Sequence, residues 1–89
     1  MKNIILDGNK MTSKKETHIY LKEMMNLPNY YGHNLDALWD ILTSTCYKQN
    51  ISLINTHNLI NHLNKYGENL IKVFKEASDE NKNIIFHNE

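Results

Sequence analysis

The 89-residue chain has no arginine, one cysteine, one proline and three glycines, and no apolar run in it exceeds three residues. Such short runs exclude a membrane-spanning helix, which needs about 20 consecutive apolar residues. With Cys46 alone, no intramolecular disulfide can form, and a cysteine-rich zinc cluster has no ligands. The apolar stretch Ile4-Ile5-Leu6 is cut at Asp7-Gly8, too early for a signal peptide, so the chain reads as cytoplasmic. Gly8, Gly32 and Gly67 stand too far apart for a phosphate-cradling loop. Ten lysines balance ten acidic residues, giving a formal net charge of zero. A nucleic-acid binder ordinarily carries a basic excess, so neither direct nucleic-acid binding nor a membrane surface is expected.

What is present suits a small folded domain. Hydrophobic residues make up 40% of the chain, enough for a core and too many for a disordered segment. The bias toward lysine, asparagine and isoleucine is that of AT-rich coding and carries no functional weight. Residues 3–7 read as a buried strand ending in a turn at Gly8. Ser13 and Glu16 form a capping box, and Thr17, Tyr20, Leu21 and Met24 give the helix behind it one apolar face. That helix should stop near Met25, because Pro28 forces Leu27 out of helical geometry. Gly32 is expected to turn the following loop with a positive φ, and Asn34 to cap a second helix. Ile51–Ile54 reads as a second strand and Thr56 as the cap of a short helix carrying Leu59, Ile60 and Leu63. Gly67 opens a fresh segment whose stripe is Leu70, Val73, Phe74 and Ala77. A third apolar run spans 83–87. Strands alternating with helices, without linker or repeat, predict one α/β domain over residues 1–89 with a parallel sheet.

One run stands apart: Tyr30-Tyr31-Gly32-His33-Asn34-Leu35-Asp36-Ala37-Leu38-Trp39-Asp40. Leu35, Leu38, Trp39 and Leu42 form the inward stripe of its helix, which leaves Asp36 and Asp40 outward. Four residues apart on a helix, the two aspartates lie one above the other and repel by roughly 0.2–0.5 kcal/mol. The helix dipole favours Asp36 in the first turn and disfavours Asp40 toward the end. Folding alone has no use for Asp40. A carboxylate pair also suggests acid–base catalysis, but that needs environments pushing the two pKa values apart, and the sequence supplies no group to do it.

This run resembles the barstar family, intracellular inhibitors of a secreted bacterial ribonuclease, and Leu70-Ile71-Lys72-Val73-Phe74-Lys75-Glu76-Ala77 is similar to the family's last helix. The resemblance implies a three-stranded parallel sheet covered by helices, no enzymatic activity and no cofactor. It implies that Asp40, Asp36 and Glu76 enter a cationic, barnase-like nuclease site where RNA phosphates would lie, with Asp40 deepest and Glu76 outermost. It implies a partner-binding set of Tyr30, Gly32, Asn34, Leu35, Asp36, Trp39, Asp40, Thr43, Ser44 and Glu76, with Tyr31 structural, in a protein that is monomeric when free. The chain departs from the family at His33, where a glutamate is usual, at Thr45, where a tryptophan is usual, and in its neutral charge. Those departures keep a second reading open, an immunity or interaction module of the same fold for a different toxin.

The remaining candidates read plainly. His18, His33, His57, His62 and His87 lack the spacing of a zinc site. Cys46 is expected to be a small buried residue. Lys14, Lys15 and Lys22 are the wet face of the first helix rather than an RNA-binding patch.

Overall fold

A computed structural model describes all residues, 1–89. Three strands, β1 (Lys2–Asp7), β2 (Gln49–Ile54) and β3 (Ile84–Asn88), form one sheet in the order β1-β2-β3, with both pairings parallel. Parallel neighbours require long crossovers, which are helical here. Helices α1 (Lys14–Met24) and α2 (Leu35–Ser44) connect β1 to β2, and α3 (Thr56–Leu63) and α4 (Lys65–Glu80) connect β2 to β3. This is the small three-stranded parallel α/β fold expected from the sequence.

Alternation along the strands sends Ile4, Leu6, Ile51, Leu53 and Ile84 inward. Asn3, Ile5, Ile85 and His87 remain exposed on the other side of their strands. Register places Ile4, Ile51 and Phe86 in one row, and Phe86 stacks on the fully buried Phe74 of α4 with ring centroids 5.1 Å apart. Leu70, Ile71 and Ala77 complete the buried stripe of α4.

Several expectations need correction. In α1 the buried positions are Thr17, His18 and Leu21, while Met24 is exposed and Met25, just past the helix, takes the inward place. Thr56 is the first residue of α3 rather than its cap. Asn55 precedes it in a left-handed conformation (φ 55°), and the Thr56 hydroxyl is engaged by Asn88 and Glu89. Gly67 lies in the first turn of α4, buried, where an added Cβ would stand 3.3 Å from both the Leu59 carbonyl and Leu63 Cβ, so its smallness seats α4 on α3. Cys46 is exposed, because the chain leaves α2 in extended geometry at Thr45 and carries Cys46 off the apolar stripe.

The end of β1 is fixed by a local network. Asp7 accepts from the Asn9 backbone N–H at 2.9 Å and from Asn55 Nδ2 at 2.8 Å. Those bonds, the Asn55 one foremost, hold its carboxyl below the usual range. Beside it Gly8 meets the β2–α3 turn backbone to backbone: a Cβ there would lie 2.3 Å from the Asn55 carbonyl oxygen. Gly8→Ala is therefore expected to lower stability by about 1–3 kcal/mol, the cost of overpacking a site that cannot yield. Urea unfolding checks this, and an unchanged midpoint would mean that the two turns separate in solution.

Candidate functional site

The acidic helix α2 is set at both ends by asparagines. At its start, Asn34 Oδ1 accepts from the Ala37 N–H at 2.8 Å while its Nδ2 donates to the Gly32 carbonyl at 3.1 Å. One side chain thus caps the helix and fixes the turn that feeds it. At its end, Asn81 Nδ2 donates to the carbonyls of Leu42 (2.8 Å) and Thr45 (3.0 Å), and Asn83 Nδ2 reaches Thr45 O at 3.3 Å. These carbonyls have no partner within the helix, so residues just beyond α4 satisfy the end of α2.

Between these ties, Leu38 and Leu42 are buried, Leu35 and Trp39 half-buried, and Asp36 and Asp40 exposed. The Thr43 hydroxyl donates to the Trp39 carbonyl at 2.8 Å and that of Ser44 to the Asp40 carbonyl at 2.6 Å, so each commits its proton to its own helix and keeps its oxygen as an acceptor. Glu76 is exposed on α4, which packs against α2.

The loop before α2 hangs on a buried hydrogen-bond chain. His18 Nδ1 lies 2.6 Å from the Tyr31 hydroxyl and His18 Nε2 lies 2.6 Å from that of Tyr66. Neutral imidazole has one donor and one acceptor, so one tyrosine donates and the other accepts. Burial first, and then the neighbouring His33, hold His18 below the ordinary histidine range. Burial pushes the Tyr31 and Tyr66 hydroxyls above theirs, so both stay protonated. Lys14 sits over the Tyr66 ring, 4.8 Å from its centre.

With Tyr31 drawn in (3% exposed), its neighbour Tyr30 is thrown out, at 85% exposed. The left-handed residue of this loop is His33 (φ 56°), not Gly32, which has no positive φ. The His33 ring stabilises that geometry locally by bonding through Nδ1 to the Tyr31 carbonyl at 2.9 Å. Gly32 is small for a different reason: a Cβ there would press on Ala37 and Asn34 at 3.3 Å. No group of three or more His, Cys, Asp or Glu side chains converges as a metal site would require.

The structure therefore assembles Tyr30, Gly32, Asn34, Asp36, Asp40 and Ser44 as exposed residues along one loop and helix, with Leu35, Trp39 and Thr43 half-buried beneath. The sequence reading missed His18, Tyr66 and Asn81, which hold that surface in place. His18 had a signal, since it falls beside Thr17 and Leu21 on the apolar stripe of α1. Asn81 had none.

The family model described as Barstar (barnase inhibitor) matches residues 1–88. The chain belongs to the barstar family. It is also similar to a Bacillus subtilis (strain 168) protein named "Putative ribonuclease inhibitor YrdF", with 36% identity over 88 residues, covering 92% of this chain and 91% of the relative. Membership places the chain among inhibitors rather than enzymes, and no helix is long and apolar enough to cross a membrane.

The buried histidine makes stability pH-dependent. Because the native state holds His18 below its unfolded value of about 6.5, the unfolded chain takes up the proton first on acidification. The His18 contribution is complete above that pH and declines below it, at no more than about 1.4 kcal/mol per pH unit. The Asp7 contribution is lost only at lower pH, as its carboxyl protonates. Denaturation curves across this range should show the decline beginning near neutrality. His18→Gln should flatten that limb, and identical pH slopes in both proteins would refute the linkage.

Proposed function

We propose that this chain inhibits a secreted bacterial ribonuclease of the barnase class by filling its cationic active site with carboxylates. The observation that carries the reading is the uncovered pair Asp36 and Asp40 on α2, in a chain of the barstar family. The similarity to a protein named as a ribonuclease inhibitor points the same way. Carboxylates accept charge-assisted hydrogen bonds from arginine and lysine as an RNA phosphate does, and such bonds strengthen once water is excluded. Asp40 takes the central position, Asp36 the neighbouring one and Glu76 the outer one. Tyr30 lies against the nuclease surface, and Gly32, Asn34, Leu35, Trp39, Thr43 and Ser44 complete the contact. The inhibitor is a single-domain cytoplasmic protein, monomeric until it meets the nuclease.

Two positions favour a second reading, an immunity protein of the same fold directed at another toxin or nuclease. His33 stands exposed inside the binding run, and Thr45 at the end of α2 offers no aromatic anchor.

The two readings separate in a titration of barnase activity on RNA. Stoichiometric inhibition is expected. Asp40→Ala should weaken it by roughly 2–5 kcal/mol, a range set in part by the barnase–barstar pair itself. Raising salt should weaken binding mainly through a slower association rate. No inhibition by micromolar protein would reject the barnase-class target, and salt-independent association would reject a carboxylate-driven interface.

A further inference from the structure

Beside the loop that carries Tyr30, the C-terminal half of α1 and residues 26–33 enclose an open cleft of about 410 Å³. Ile19 and Leu27 provide apolar surface, Glu23 a carboxylate, Asn26 and Asn29 amides, and His33 an imidazole. The tautomer of His33 follows from its partner: the Tyr31 carbonyl only accepts, so Nδ1 carries the proton and Nε2 of the neutral ring is an acceptor. Glu23 is also an acceptor, and an amide serves in either sense. Lys22 is the one cation on the lining, and its long stem lets the ammonium turn out to water.

We propose that this cleft is a second anchor for the nuclease, taking a lysine or arginine side chain from the same cationic surface that meets α2. This rests on the function proposed above. The methylene stem of such a side chain would lie on Ile19 and Leu27, with its head held by Glu23 and the free nitrogen of His33. Two of its lining residues neighbour the proposed interface along the chain, Asn29 before Tyr30 and His33 before Asn34.

Calorimetric titration of barnase into the wild type, His33→Asn, Glu23→Gln and Asp40→Ala, near pH 8, tests the inference. Asparagine tolerates the left-handed backbone at 33. Glu23→Gln is expected to bind about tenfold more weakly, as for loss of a hydrogen bond to a charged group. His33→Asn, which removes the ring nitrogen, should bind about fivefold more weakly. If both cleft variants match the wild type within about twofold while Asp40→Ala is crippled, the cleft anchor is overturned and the α2 interface stands. If the wild type does not bind, the functional reading falls and the anchor with it.

Discussion

The hydroxyls of Tyr31 and Tyr66, each 2.6 Å from a nitrogen of His18, join α1, the loop before α2 and the first turn of α4 through one buried ring. A neutral imidazole is satisfied only when one neighbour donates and the other accepts, so the three side chains must be placed together. Removing one of them leaves a polar atom without a partner at low exposure, which costs more than the bond itself contributes. Much of the surface geometry follows from this. Holding Tyr31 inside decides that Tyr30 points out. It also brings the Tyr31 carbonyl under the His33 ring, and His33 in turn delivers Asn34 to the start of α2.

Most of the scaffold was legible because its signals are local. The apolar strands, the Ser13 cap and the Asn34 cap each announce themselves within a few residues, and all appear in the structure, although Ser13 accepts from the Glu16 N–H without the return bond from the Glu16 carboxylate that a capping box would add. The outward position of Asp36 and Asp40 followed from helical periodicity and the inward stripe beside them. The residues that were misread or missed depend on distant partners. Cys46 looked like core until the chain left α2 in extended geometry. Thr56 looked like a cap until its hydroxyl met Asn88, 32 residues away. The depth of His18 depends on Tyr66, 48 residues along, and the Asn81 tie on carbonyls 36 and 39 residues back.

The abundance of asparagine, which composition alone marks as coding bias, has structural uses. Asn26, Asn55 and Asn64 all take positive φ, whereas none of the three glycines does. Asparagine is among the few side-chain-bearing residues that visit this region readily. The glycines are left for close approach, Gly8 against Asn55 and Gly67 against α3. Turning and close packing, often combined in one residue type, are here divided between two.

The Asn81 amide also bears on how this surface would meet a partner. Because it grips the last carbonyls of α2 from the end of α4, the helix carrying Asp36 and Asp40 and the helix carrying Glu76 share one frame in the free protein. Association costs about 0.5–1.5 kcal/mol for each long side chain it immobilises, and mobile elements add to that sum. A tie of this kind reduces the relative motion of the two helices that association would have to freeze, leaving chiefly the rotamers of the side chains themselves. Rigidity of this kind leaves the rate of encounter to charge and lengthens the life of the complex once formed.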